Sequence, residues 1–127
     1  MNKSKQKTKS ILIVEDEPPL REILAKNLQD EGYDVVTAPN GQSGIDELKK
    51  KKKFDLVLLD IVMPQMDGFL TLETMQNEGF NIPTIVLSNI SQGEERSRAA
   101  KLGAKGYIVK SDTTLAEIVD QVKSVLQ

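Results

Sequence analysis

Short apolar runs alternate with segments of helical periodicity along this chain. Four of the runs cover residues 11–14, 56–59, 85–87 and 107–109, and β-branched residues are common in them. Runs of this kind are typical of parallel strands that are buried on both faces and connected by right-handed crossovers. A fifth strand, predicted over residues 33–37, has fewer apolar residues and is expected at an edge of the sheet. The pattern predicts an α/β domain with five βα units around a doubly wound parallel sheet.

Capping signals place a helix after each predicted strand. The expected N-terminal signals are Pro18-Pro19, Asn40-Gly41, Asp67, Ser91 with Glu94, and Thr114 with Glu117. Proline suits the first turn of a helix, and the last two pairs have the spacing of a capping box. Gly32 is predicted as the left-handed residue that ends the first helix. The five lysines of residues 49–53 are interpreted as a solvated end of the second helix.

Length and composition indicate one domain. A chain of 127 residues is long enough to bury a single core without disulfide bonds, and cysteine is absent. We assign residues 10–127 to this domain and residues 1–9, which include four lysines, to a flexible basic segment. No apolar stretch approaches the roughly 18 residues that a membrane span requires, and the polar start lacks a signal-peptide core. A cytoplasmic protein without membrane contacts is therefore expected.

Net charge and composition indicate which kinds of partner the chain can bind. The net charge is -2, and no segment combines basic and aromatic residues as nucleic-acid binding would favour. Direct binding of DNA or RNA is therefore not expected. Histidine is absent, so a phosphohistidine in any reaction of this chain has to come from a partner.

Each of the four apolar runs ends on a residue with charged or reactive chemistry. These residues are Glu15 and Asp16, Asp60, Ser88 and Lys110. In open α/β sheets the ligand crevice lies beyond the carboxyl ends of the strands, which share one edge. The sequence therefore predicts one small site that contains three carboxylates, a hydroxyl and an ammonium group.

The three carboxylates predict a site for a hard metal ion. Brought to one edge, Glu15, Asp16 and Asp60 repel one another unless a cation joins them. Oxygen ligands without histidine or cysteine suit Mg2+, whose shell is usually completed by a phosphate oxygen. The alternative is that Glu15, Asp16 and Glu17 only place favourable charge at the start of the first helix. Asp60 weakens this alternative because it belongs to a different strand.

The position of Asp60 predicts phosphoryl chemistry. Asp60 closes an apolar run and precedes further apolar residues, which is a costly place for a carboxylate without a partner. A carboxylate can attack phosphorus and form an aspartyl phosphate, provided that the phosphoryl oxygens are neutralised. Mg2+, Lys110 and Ser88 could each take one of these oxygens. Taken singly, Lys110 could be a surface lysine and Ser88 a turn residue.

The same residues resemble the receiver domain of two-component response regulators. The resemblance covers residues 10–126. It rests on Ser88 and on segments 11–17, 58–64, 66–68 and 103–110. It implies a flavodoxin-like fold with strand order 2-1-3-4-5. It also implies a phosphorylation-dependent signalling switch that accepts a phosphoryl group from a sensor histidine kinase or a histidine phosphotransfer protein.

The resemblance assigns the reactive and metal-binding roles. Asp60 is implied to be the phosphoacceptor, and Lys110 the phosphate-binding lysine. Asp16 is implied to bind Mg2+ directly, together with Asp60, and Glu15 at least through water. The backbone carbonyl of Val62 is implied to be a further ligand of the ion.

The resemblance also implies how the switch works. Ser88 matches the hydroxyl that is drawn to the phosphoryl group, and Tyr107 matches the aromatic residue that then moves inward. The face that is built from the helix at Glu94, the strand at Gly106 and the helix at Leu115 would change as a result. An output partner, an effector domain or a second phosphorylated copy of the chain would bind to that face.

Residues beside the expected phosphoryl site predict a long-lived adduct. In the family that the chain resembles, the residues two after the phosphoacceptor and two after the switch hydroxyl flank the path of the attacking water. Here these residues are Val62 and Ile90, and neither can orient a water. We therefore expect slow autodephosphorylation and no turnover of an external substrate. Ser111 replaces the proline that usually follows the lysine in this family, so a trans peptide bond is expected before it.

We compare the sequence with the residues that three other functions would require. A haloacid-dehalogenase-like phosphatase would need a second aspartate two residues after Asp60, where Val62 stands. A nucleotide-binding switch would need a glycine-rich phosphate loop after a strand, and none is present. A pseudo-receiver that acts without phosphorylation should have lost Asp16, Asp60 or Lys110, and all three remain. The pseudo-receiver is the alternative to a phosphorylation-dependent switch.

Overall fold

The computed structural model describes residues 8–50, 53–63, 66–89 and 93–127. The strands in these ranges are β1 (Ser10–Val14), β2 (Asp34–Ala38), β3 (Leu56–Asp60), β4 (Thr84–Ser88) and β5 (Gly106–Val109). The α-helices in the same ranges are α1 (Pro18–Asp30), α2 (Gly41–Lys50), α3 (Gly68–Asn77), α4 (Gly93–Lys101) and α5 (Leu115–Leu126). A 3-10 turn over Lys110–Asp112 connects β5 to the segment before α5.

The described strands form one parallel sheet in the order β2-β1-β3-β4-β5. The predicted α/β class, strand order and edge position of β2 are therefore confirmed. Parallel pairing brings the carboxyl ends of the strands to one edge of the sheet. At that edge Asp60 pairs in register with Leu87, and Ser88 pairs with Val109.

Helices cover the sheet on both faces. Alternate residues of a strand point to opposite faces of the sheet. A strand with helices on both faces therefore buries every side chain. One face packs against α2, α3 and α4, and its buried strand residues include Leu12, Val14, Val57, Leu59 and Val86. The other face packs against α1 and α5, and its buried strand residues include Ile11, Ile13, Leu56, Leu58 and Ile85. This double burial explains why the central strands read as continuous apolar runs.

Most of the predicted capping signals act as expected. Thr114 and Glu117 form both hydrogen bonds of a capping box at the start of α5. The Asp67 carboxylate accepts a 2.9 Å hydrogen bond from the backbone N–H three residues on, and Asn40 makes the same kind of contact at 2.8 Å. Gly32, which follows the C-cap residue Glu31 of α1, has a φ of 98°. Local side-chain chemistry therefore sets these helix ends.

Helix α4 contacts its neighbours through one small buried residue and two arginine side chains. Ala99 is its buried residue in the range that the structure describes. The Arg96 guanidinium lies 5.0 Å from the centre of the Tyr107 ring, and the Arg98 guanidinium lies 4.1 Å from that of Phe69. The predicted cap at Ser91 lies outside the described residues.

The two lysine-rich segments of the sequence are only partly described by the structure. The basic segment of residues 1–9 falls largely outside the described ranges, as do Lys51 and Lys52 of the lysine run. Lys49 and Lys50 end α2 as predicted, and the Lys49 ammonium lies 3.6 Å from the carboxylate of Glu78. Across the described part of the chain, we find no helix with the length and apolar character needed to cross a membrane.

Candidate functional site

The carboxyl edge of the sheet gathers the residues that the sequence singled out. Glu15 and Asp16 follow the last residue of β1, and Asp60 is the last residue of β3. Ser88 is the last residue of β4, and Lys110 follows β5. The parallel sheet therefore delivers all five residues to one edge, as the strand pattern predicted.

Lys110 joins two buried carboxylates. Its ammonium nitrogen lies 3.0 Å from Glu15 Oε1 and donates a hydrogen bond of 3.2 Å to Glu15 Oε2. The same nitrogen lies 3.3 Å from Asp60 Oδ2. The side chains of Glu15, Asp60 and Lys110 are 0%, 4% and 12% exposed. The three groups therefore form a largely buried cluster of two carboxyl groups around one ammonium group.

Burial and neighbouring charge alter the protonation of this cluster. Desolvation and then the charge of Glu15 raise the pKa of Asp60 to about 8, although the charge of Lys110 opposes the change. For Lys110 the largest influence is also burial, which lowers the pKa. The hydrogen bond to Glu15 and the charge of Asp60 outweigh burial and leave the pKa of Lys110 raised. Lys110 alone is thus too little positive charge to keep Asp60 fully ionised at neutral pH.

The carboxylates around Asp60 fit a divalent cation. One oxygen from each of Glu15, Asp16 and Asp60 lies within 4.8 Å of the other two. Glu15 Oε1 is buried, and although it lies 3.0 Å from the Lys110 ammonium, it accepts no well-aligned hydrogen bond from the residues that the structure describes. Three carboxylates around one ammonium leave negative charge to be balanced, and oxygen ligands are those that Mg2+ prefers. The residues present therefore fit the predicted magnesium site.

Backbone contacts hold the site residues in place. The backbone N–H of Val62 donates a 3.2 Å hydrogen bond to Asp60 Oδ1, and the Val62 residue itself is 61% exposed. The guanidinium of Arg21 donates a 2.9 Å hydrogen bond to the backbone carbonyl of Glu15. The backbone N–H of Glu17 donates a 3.1 Å hydrogen bond to Glu15 Oε2. The segment between β1 and α1 is therefore fixed from within the site.

Two of these residues escaped the sequence prediction. Arg21 was not singled out, and Glu17 was considered only as charge at the start of a helix. Glu17 Oε1 lies 3.7 Å from the Lys110 ammonium, although the Glu17 side chain is 58% exposed. Its position directly after two predicted site residues was the available signal.

The predicted switch residues lie on β4, which is next to the strand of Asp60, and on β5, which is the strand after that. Ser88 is completely buried, and the register places it one residue beyond the partner of Asp60 on the neighbouring strand. Tyr107 is half-buried in β5, where it pairs in register with Val86. The predicted tuning residue Ile90 lies outside the described residues. The peptide bond before Ser111 is trans, as expected.

Known protein sequences match nearly the whole chain. The model of the response regulator receiver domain family matches residues 11–123. A probable transcriptional regulator, ycf27, of Porphyridium aerugineum is 35% identical over 117 residues, covering 92% of this chain and 48% of the relative. The alkaline phosphatase synthesis transcriptional regulatory protein PhoP of Bacillus subtilis is 29% identical over 94% of this chain and 49% of its own length. The chain thus spans about half the length of these curated relatives.

Solved structures match the fold as well. CheY in the CheX-CheY-BeF3-Mg+2 complex of Borrelia burgdorferi superposes with a TM-score of 0.89 at 28% identity, covering 100% of this chain and 96% of the other. The response regulator TrrA of Thermotoga maritima, solved with Mg(2+)-BeF, gives a TM-score of 0.81 at 35% identity, with coverage of 94% and 100%. The family match over residues 11–123 and the shared fold lead to one conclusion. This chain belongs to the response regulator receiver domain family.

Proposed function

We propose that this chain is a phosphorylation-dependent signalling switch with Asp60 as its phosphoacceptor. The donor is the phosphohistidine of a sensor histidine kinase or a histidine phosphotransfer protein. The observation that carries the proposal is the buried contact of 3.3 Å between Asp60 Oδ2 and the Lys110 ammonium, beside two further carboxylates. The absence of histidine from the chain agrees with a donor that belongs to a partner.

The proposed transfer forms one bond and breaks one. A carboxylate oxygen of Asp60 attacks the phosphorus atom, and the phosphorus–nitrogen bond of the partner's phosphohistidine breaks. The imidazole nitrogen keeps the electron pair of that bond. Lys110 lies within ion-pair distance of the attacking carboxylate and can neutralise a phosphoryl oxygen without moving far. Glu15 holds the ammonium group in this position through its hydrogen bond.

Glu15, Asp16, Asp60 and the backbone carbonyl of Val62 are the groups that would hold Mg2+. The ion would supply the positive charge that the three carboxylates lack and would offset the charge of the phosphoryl oxygens. The buried Glu15 Oε1 supports this assignment, because its contact with the Lys110 ammonium at 3.0 Å is an ion pair without a well-aligned hydrogen bond. So does the raised pKa of Asp60, because burial and the charge of Glu15 disfavour its ionised form.

The switch itself is proposed to run from Ser88 to Tyr107. The Ser88 hydroxyl turns toward the phosphoryl group, and the Tyr107 ring moves into the space that becomes available. Both residues lie on strands next to the site, and Arg96 of α4 already packs on the Tyr107 ring. The surface of α4, β5 and α5 would change and bind an output partner, an effector domain or a second copy of the chain.

The aspartyl phosphate is proposed to be long-lived. Val62 is exposed beside Asp60, and its apolar side chain cannot orient an attacking water. In a Val62→Asn variant, an amide at this position should shorten the lifetime of the adduct by about tenfold, which is less than a general base supplies because an amide orients the water without taking its proton. The decay of the phosphorylated mass after removal of the donor measures this lifetime. An unchanged lifetime would contradict the role of Val62.

Intact mass spectrometry tests the proposed function. Incubation with acetyl phosphate and Mg2+ should add one phosphoryl group to the unaltered chain and none to an Asp60→Asn variant. Asp46→Asn is the matched control, since Asp46 is exposed and its carboxylate contacts only a neighbouring glutamine among the described residues. The control should be phosphorylated like the unaltered chain. No adduct, or an adduct that persists in Asp60→Asn, would contradict the proposal.

A further inference from the structure

A fourth carboxylate stands at the mouth of the site. Glu17 Oε1 lies 3.7 Å from the Lys110 ammonium, and the Glu17 side chain is 58% exposed. The two carboxylates that share Lys110 with it are almost completely buried. Glu17 therefore lies at the rim, where an incoming phosphodonor first meets the charge of the site.

The helix that follows does not require the Glu17 side chain. Glu17 is the N-cap residue of α1, and its backbone carbonyl accepts the 2.9 Å hydrogen bond from Arg21 N–H that starts the helix. Its side chain makes no capping hydrogen bond within the described chain. Pro18 and Pro19 lack a backbone N–H, so the N–H of Leu20 is the one donor of the first three helical residues that a cap could satisfy. The carboxylate is left to face Lys110.

The backbone of Glu17 is nevertheless fixed. Its N–H donates a 3.1 Å hydrogen bond to Glu15 Oε2, the oxygen that also accepts from Lys110. This contact ties the rim residue to the buried cluster. The Glu17 carboxylate is therefore held near the site by its backbone and by Lys110, although its side chain is open to solvent.

We propose that Glu17 selects the phosphodonor by charge and disfavours small acyl phosphates. This inference rests on the proposed function of Asp60. A negative carboxylate at the rim repels a donor in proportion to the negative charge of that donor. An acyl phosphate that carries two negative charges is thus hindered more than a phosphoramidate, whose protonated nitrogen makes it one charge less negative.

Both donors phosphorylate by the same kind of step. An oxygen of the Asp60 carboxylate bonds to phosphorus in each case. With acetyl phosphate the phosphorus–oxygen bond breaks, and acetate leaves with the electron pair. With phosphoramidate the phosphorus–nitrogen bond breaks, and ammonia leaves with the electron pair. The ratio of the two rates therefore separates the effect of donor charge from any general loss of reactivity at Asp60.

The test compares the rates of adduct formation with acetyl phosphate and with phosphoramidate, measured by intact mass at low ionic strength. The variants are Glu17→Gln and Glu17→Asp. Glu31→Gln is the matched control, because Glu31 ends the same helix about 20 Å away and pairs with Lys123. The rise in Tm with Mg2+ concentration is recorded for each variant, so that all rates are compared at saturating ion.

Glu17→Gln should raise the ratio of the acetyl phosphate rate to the phosphoramidate rate by about threefold, as expected for one charge interaction in water. The gain should nearly vanish at about 1 M salt, where charges are screened within about 3 Å. Glu17→Asp and Glu31→Gln should keep the original ratio. An unchanged ratio in Glu17→Gln, or an equal loss of rate with both donors, would overturn the role of Glu17 and leave the proposed function of Asp60 intact. Failure of both donors on the unaltered chain would overturn the proposed function, and the inference with it.

Discussion

At the scale of single residues, burial decides how much the ion pairs of Lys110 contribute to stability. Two ion pairs of the chain have the same separation of 3.0 Å, Lys110 with Glu15 and Lys123 with Glu31. The first pair is buried and the second lies at the surface. An exposed pair is screened by water, whereas removing one member of a buried pair leaves the other charge without compensation. Burial rather than distance therefore decides what each pair contributes.

Lys110→Met should lower the free energy of unfolding by about 3 kcal/mol in Mg2+-free buffer, because Glu15 and Asp60 lose their positive partner. Methionine keeps a similar length of apolar chain, so little packing is lost. Urea denaturation measures the difference. Lys123→Met is the control and should cost much less, since its pair is exposed. Equal losses in the two variants would contradict the dependence on burial.

Asp60 should make the stability of the metal-free chain depend on pH. Its folded-state pKa of about 8 lies above the ordinary value of 3.8, so the folded chain holds a proton that the unfolded chain has lost. The free energy of unfolding should therefore fall as pH rises between these two values, by at most about 1.4 kcal/mol per pH unit. Urea denaturation at several pH values in the presence of a chelator measures this slope.

Asp60→Asn is the matched variant for the pH series. Asparagine has nearly the same shape and does not titrate, so the fall in stability toward pH 8 should be much smaller in this variant. An equal slope in the two proteins would show that another group causes the pH dependence and would contradict the assignment to Asp60.

The sequence predicted some residues of the site and missed others. Asp60 and Lys110 were predicted because a charged residue at the end of an apolar run is informative by itself. Glu17 was not, because an acidic residue before a helix is expected to cap that helix, whereas this side chain makes no capping hydrogen bond and lies near Lys110. Arg21 was not, because nothing in its spacing indicates a hydrogen bond to the carbonyl of Glu15.

At the scale of elements, the turn between β3 and α3 positions Asp60, the proposed phosphoacceptor. The backbone N–H of Gly68 donates a 2.8 Å hydrogen bond to the carbonyl of Ile61. A β-carbon at Gly68 would lie 2.5 Å from the backbone oxygen of Asp60, which is closer than real β-carbons approach. The start of α3 is therefore pressed against the end of the strand that carries Asp60, and only glycine permits this approach.

Gly68→Ala should lower the free energy of unfolding by about 2 kcal/mol, because the clash is with backbone and not with a flexible side chain. Thermal unfolding measures the loss. Gly93→Ala is the control, since a β-carbon there would meet no described atom within 4 Å and alanine favours the helix. The control should be neutral or slightly stabilising. Tolerance of alanine at position 68 would contradict the close contact.

Helix ends were predictable to the extent that capping is local. The capping box of Thr114 and Glu117 and the cap at Asp67 depend on residues three apart, which the sequence displays directly. The attachment of α4 depends on Arg96 and Arg98 reaching rings on other elements. Such contacts between distant segments leave no local signal, so the sequence did not predict them.

At the scale of the whole molecule, the parallel sheet converts separate strand ends into one site. The apolar runs predicted strands that are buried on both faces and end at one edge of the sheet. The observed sheet confirms this. The apolar pattern does not specify the order of the strands, because several arrangements satisfy right-handed crossovers. The order 2-1-3-4-5 came from the family resemblance. It matters for function, since it places β1 and β4 on either side of β3, which carries Asp60.

The central claim is that Asp60 is the residue that receives the phosphoryl group, and chemical mapping tests it most directly. The chain is treated with acetyl phosphate and Mg2+, and borohydride then reduces the acyl phosphate to an alcohol. Peptide mass mapping locates the homoserine that results from a phosphorylated aspartate. The account predicts homoserine at position 60 alone, and none when the donor is omitted. Homoserine at another aspartate, or at none, would contradict it.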